Sequence, residues 1–148
     1  MPLPGDRDPR QRGQPDLPVT PRRGLELLPG RYCVCRLAAD AAIPQWASGT
    51  KARLLSVTRT AHELSIVCDD DWVPPNVGHI ERGWQAFRIR GPIPFEEVGV
   101  IAGATEPLAA AGLTVFVIST FNTDYVLVQE ARVEAASAAL KAAGFEVG

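Results

Sequence analysis

Residues 114–129 read TVFVISTFNTDYVLVQ. A nearly all-apolar run, Thr114 to Thr120, meets three connecting residues, Phe121-Asn122-Thr123, and then a second apolar run from Asp124 to Gln129. Two runs of strand length with so short a connection predict a β-hairpin. Upstream, Trp84 to Arg90 alternates as a strand should, and Gly91-Pro92-Ile93-Pro94 breaks it. A helix is then expected from Phe95-Glu96-Glu97 to about Ala111, with Val98, Ile101, Ala104, Leu108 and Ala111 on one face and Gly112 as its stop. Pro107 deletes one helical hydrogen bond and is expected to kink the rod. Downstream, the Ala-rich stretch Glu130 to Ala143 predicts a second helix, ended by Gly144 before a short strand, Phe145 to Val147. The order strand, helix, strand, strand, helix, strand is that of a split βαβ unit, with two helices on one face of an antiparallel sheet.

The first half carries a weaker version of this pattern. Arg31 to Leu37, Ala52 to Thr58 and Leu64 to Cys68 have strand length and composition. Between the first two, Asp40 is expected to cap a short helix over Ala41 to Trp46, limited by Ile43-Pro44. Residues 69–83, with an acidic triplet, two adjacent prolines and two glycines, are expected to be a connector. Sliding the chain by 61 residues superposes Val57 to Val67 on Ile118 to Val128 and sets Glu63 opposite Asp124. Cys35-Arg36-Leu37 likewise answers Phe87-Arg88-Ile89 if the first copy has a shorter helix. The fold class is therefore α+β, with two ferredoxin-like βαββαβ modules in tandem, the first truncated. The expected divisions are a tail over 1–23, a first module over 24–68, a connector over 69–83 and a second module over 84–148. Neither module alone has much core, so the two are expected to pair and share apolar surface.

The chain has 148 residues, 46% of them apolar and 22% charged, with a formal charge of −2. That length excludes a large multidomain enzyme. Met1 to Arg23 holds five Arg against three Asp and few large apolar residues, too few to offset its chain entropy, so a solvated tail is expected. The other 125 residues then carry −4, which disfavours a basic nucleic-acid binder. With no run of about 18 apolar residues and no signal-like start, the expectation is a cytoplasmic protein without a membrane partner. Cys33, Cys35 and Cys68 read as buried apolar residues in a reducing compartment. Nucleophile–base pairs, phosphate-binding glycine patterns and metal-ligand spacings are all missing, so neither an enzyme nor a cofactor or metal is expected.

At Phe95 to Ala102 and at Ile118 to Val128 the sequence resembles the ACT domain family, and within it the small bacterial relatives of the CASTOR-type arginine sensors. The resemblance is strong over Trp84 to Val147 and weaker over Arg31 to Cys68. It implies a regulatory module that binds an amino acid or similar small metabolite at the seam between two ACT units, with a homodimer as a further partner the reading allows. The implied ligand face comprises the start of the first helix, Glu96, Glu97, Val98 and Gly99, and the hairpin residues Thr120, Phe121 and Asp124. By the repeat, His62, Glu63 and Ser65 complete it from the first module. A helix N-terminus offers unpaired N–H groups to a carboxylate, and Gly99 lets a ligand approach the backbone. Alternatives stay open for the acids. Asp124 either meets a cationic group or anchors the hairpin through backbone N–H bonds. Glu96 and Glu97 either face the ligand or complement the helix dipole in solvent. A second function, from another class, is a protein-interaction adaptor that pairs through sheets or helices and takes no small molecule.

Overall fold

The structure, a computed structural model, describes residues 23–49 and 51–148. The expected tail therefore lies outside the described residues except for Arg23. Eight strands form one sheet: β1 (Gly24–Leu27), β2 (Tyr32–Leu37), β3 (Ser56–Arg59), β4 (Leu64–Asp69), β5 (His79–Ile89), β6 (Phe116–Ser119), β7 (Asp124–Gln129) and β8 (Glu146–Val147). Helix α1 spans Val100–Ala110 and α2 spans Val133–Ala142.

The 11-residue β5 organises both halves. Its first residues pair antiparallel with β2, Tyr32 to Arg36 against Trp84 to His79, and complete a sheet in the order β3-β4-β2-β5. Its last residues lie between β1 and β7, where Phe87 faces Leu27 on one side and Val126 on the other. The first half thus has the strand order of a ferredoxin-like module, and its last strand is also the first of the second half. The register shifts between Tyr32 and Val34, next to Gly83 at φ 78°. A left-handed glycine at that point makes a bulge that bends β5 as it leaves one half for the other. Residues 79–83, expected as connector, are consequently strand.

Strand β1 had no counterpart in the sequence reading. It inserts between β5 and β8, antiparallel to the first and parallel to the second, so that the order in the second half is β6-β7-β5-β1-β8. The first module is more truncated than its sequence implied. The helix expected over 41–46 is a single 3₁₀ turn at Gln45–Ala47, preceded by Pro44 and not capped by Asp40. Loops that carry Ala41, Trp46, Trp72 and Val77 cover that sheet face in place of helices.

Alternation along the strands distributes the side chains among three buried clusters. Leu25, Phe87, Ile89, Val126 and Val128 face the helices and meet Ala104, Leu108, Ala136 and Leu140. Cys33, Cys35, Leu64, Ile66 and Cys68 form the core beneath the first half's loops. Between the halves, Tyr32, Leu54 and Val67 meet Trp84, Ala86 and Leu127 in one cluster. The expected sharing of apolar surface is this third cluster.

The cysteines sit in a closed environment, with the sulfurs of Cys33 and Cys35 3.8 Å apart. For Cys33 the contact with Cys35 lowers the thiol pKa, but the contact with Cys68 and burial together push it up to about 12. The contact with Cys33, followed by burial, raises Cys35 as well. Because the thiolate is the reactive form, these thiols are expected to resist a disulfide reagent at pH 8 while the protein is folded. Rapid labelling of Cys33 or Cys35 in native buffer would contradict this, whereas all three cysteines should react in guanidinium chloride.

Candidate functional site

The end of β5 and the β6–β7 turn are bound to each other before either meets α1. The Thr123 hydroxyl, 4% exposed, donates to the Ile89 carbonyl at 2.5 Å. The Ile93 amide donates to the Asn122 carbonyl at 2.7 Å. A Cβ on Gly91 would lie 3.0 Å from that same carbonyl oxygen, so a larger residue would push the two loops apart by a few tenths of an ångström. Within the turn, the Thr120 amide and hydroxyl both donate to the Thr123 carbonyl, at 2.8 and 3.0 Å. The hairpin is therefore anchored by threonines, and its closure does not draw on the Asp124 side chain.

Helix α1 starts later than its acidic residues suggested. The Glu97 amide donates to Pro94 in a separate turn, and Gly99 at φ 81° is left-handed, which ends that turn and caps the helix. The first helical bond joins the Gly103 amide to the Gly99 carbonyl. Glu96, Glu97 and Val98 thus precede the helix, and its first turn contains no acid. Val98, expected on the buried face, is 93% exposed. Pro107 lies inside the helix, whose missing bond at that point is the one its ring nitrogen cannot donate.

A cleft of about 230 Å³ lies between these elements, lined among others by Phe95, Glu97, Gly99, Val100, Thr120, Phe121 and Asp124. Five of the expected residues, Glu97, Gly99, Thr120, Phe121 and Asp124, meet there. Glu96 and Val98 do not line it. Phe95 and Phe121 stack edge to face with ring centres 4.9 Å apart, and both remain more than 70% exposed at the rim. The amides of Val100, Ile101 and Ala102 precede the first helical bond and are the helix's unpaired donors. Glu97 and Asp124 are the charged residues of the lining. Glu97 is ion-paired with Arg23, while Asp124 has no ion-pair partner among the described residues.

The first-module residues are elsewhere. Glu63 and Ser65 line a separate groove of about 460 Å³ with Arg36, His79 and Phe116, and His62 lines neither site. The reason lies in the phase of the repeat. Strands β3 and β6, and likewise β4 and β7, are 60 residues apart, not 61. Thr60 then corresponds to Thr120, and its hydroxyl accepts from the Glu63 amide at 3.1 Å as Thr120 does from Thr123 at 3.4 Å. Asp124 corresponds to Leu64 and Glu63 to Thr123, so the two acids are not equivalent. A threonine four residues before each second strand was the sequence signal for the correct phase. Nor does the cleft lie on the seam between halves, whose centre is filled by Tyr32, Leu54, Val67, Trp84 and Leu127. The polar depression at the seam's rim contains Arg31 and Glu130, which pair with each other, and Asp70, which pairs with Arg82. Sequence reasoning missed Phe95, Val100, Ile101 and Asn122 in the lining, and Arg23 beside it. An aromatic residue between Pro94 and two acids was the available signal for Phe95.

Comparison with known proteins follows the same division. The ACT domain family matches residues 79–142, the half that contains the cleft, and a family described as an N-terminal domain matches residues 30–76. Residues 79–142 of this chain are an ACT domain. Protein Atu0741 from Agobacterium tumefaciens is 40% identical, with 87% of this chain and 94% of that one covered at a TM-score of 0.80. The cytosolic arginine sensor for mTORC1 subunit 1 of Homo sapiens is 48% identical over 48 residues, 32% of this chain. The matched stretch spans 15% of that sensor's length. The ligand-free regulatory subunit of aspartate kinase from Thermus thermophilus covers 81% of the chain at a TM-score of 0.57, and its 14% identity makes this a likeness of fold. Both helices of this ACT domain cover one face of the sheet, and among the described residues no helix is long and apolar enough to cross a membrane.

Proposed function

We propose that this ACT protein is a non-enzymatic regulator that binds an amino acid or similar small zwitterion in the cleft beside α1. The observation that carries the reading is the convergence of the first amides of α1, an acid with no ion-pair partner among the described residues and two rim aromatics on one cleft. The amides at Val100 and Ile101 suit a carboxylate, and Asp124 across the cleft suits an ammonium. Gly99 admits the ligand to the backbone, while Thr120 and Phe121 supply backbone groups and a wall. The arginine sensor matched over 48 residues supports a regulatory role. A thermal-shift panel of the twenty amino acids and common nucleotides tests the proposal. At a hundredfold excess over Kd a bound ligand adds about 2.7 kcal/mol, several degrees for a domain this size. No shift from any amino acid would remove the reading.

Asp124→Ala separates ligand contact from a structural role. Because threonines close the turn, the melting temperature of the unliganded variant should change by less than about 2 °C, as for a surface substitution. Affinity for any amino acid found in the panel should fall about tenfold or more, the loss of a charge-assisted contact. An unchanged Kd would take Asp124 out of the site.

The exposed Phe95, Val98 and Phe121 also favour the second reading, an adaptor that buries this rim against another protein or a second copy. Sedimentation velocity distinguishes the two, since an adaptor that pairs with itself gains mass with concentration whether or not a ligand is present.

A further inference from the structure

The cleft's two acids differ in one respect that bears on which amino acid it accepts. Glu97 is held by the Arg23 guanidinium, which arrives from the start of β1, 74 residues away in sequence. Asp124 has no ion-pair partner among the described residues. An α-amino acid brings one carboxylate and one ammonium, which the α1 amides and Asp124 match. A cationic side chain brings a second positive charge and needs a second free acid. The acid available is Glu97, and its counter-ion is already in place.

We propose that Arg23 is a specificity-determining residue: by occupying Glu97 it sets the cleft to take amino acids with neutral side chains and to reject those with cationic ones. The inference rests on the cleft being the amino-acid site. The pair is about one-third exposed on each side, so its contribution to stability is small. Its effect on selectivity is larger, because a cationic ligand must both displace Arg23 and share the cleft with its charge. Removing the guanidinium reverses both terms.

The test is calorimetric titration of the full-length chain with all twenty amino acids, followed by L-arginine, L-lysine and the tightest neutral amino acid against Arg23→Ala and Arg23→Ala/Glu97→Gln. The wild type should prefer the neutral ligand. Arg23→Ala should raise the ratio of cationic to neutral affinity about tenfold, one charge-assisted contact discounted for partial exposure. The double variant should return the ratio to near its original value, because the gain passes through Glu97. A wild type that already prefers arginine or lysine, or a ratio unmoved by Arg23→Ala, would overturn the inference and leave the amino-acid site intact. If no amino acid binds the wild type or either variant, the cleft's proposed function falls and this inference falls with it.

Discussion

Phe87→Ala should cost about 3–5 kcal/mol of folding stability, a large share of the total for a domain of this kind. Phe87 is fully buried, faces Leu27 of β1 and Val126 of β7 across adjacent strands, and packs beneath the helices with Leu108 and Leu140. Truncation removes the ring's burial and leaves a hole that a residue flanked by backbone on both sides cannot close by shifting. The melting temperature should fall by about 10–15 °C. Leu25, Leu108 and Val126 would lose a common contact, so Phe87→Leu should recover more than half of the loss. A fall of under 3 °C for Phe87→Ala would mean that β5 is not the central strand of this sheet.

Leu127→Ala addresses the coupling between halves. Its side chain belongs to β7 but packs in the cluster that includes Tyr32, Leu54 and Val67 of the first half, and the expected cost is about 2–5 kcal/mol. The molecule supplies its own probes. Helices α1 and α2 both lie in the second half, so helical ellipticity reports there, while Trp46 and Trp72 pack against the first half's core and report on it by fluorescence in a Trp84→Phe background, which removes the tryptophan at the seam. With β5 common to both halves, denaturant curves from the two probes should coincide in the wild type and move together in Leu127→Ala. A fluorescence transition that stays in place while the ellipticity transition moves would show two independent modules.

The regular elements of the second half were legible from local pattern. Their strands and the Ala-rich helix have the periodicities that expose one face and bury the other, and α2 with β7 falls where that pattern places it. The start of α1 was not legible, because it depends on the left-handed Gly99 and on the Pro94–Glu97 turn and not on the position of acids. The repeat was visible but out of phase by one residue. Matching Glu63 with Asp124 weighed charge above the threonine hydroxyl that closes each turn, and a one-residue slip in a strand exchanges its faces.

From composition and periodicity alone, the chain is a small α+β protein with two related halves, and the second half follows the order strand, helix, strand, strand, helix, strand. Tertiary structure alone decided that β1 enters the second half's sheet, that residues 79–83 extend a strand the halves share, and that Arg23 meets Glu97. The physical division is between short and long range. Side-chain alternation and turn chemistry act within a few residues and are written locally. Strand order and ion pairs between distant segments depend on which buried surfaces the whole chain can close at once.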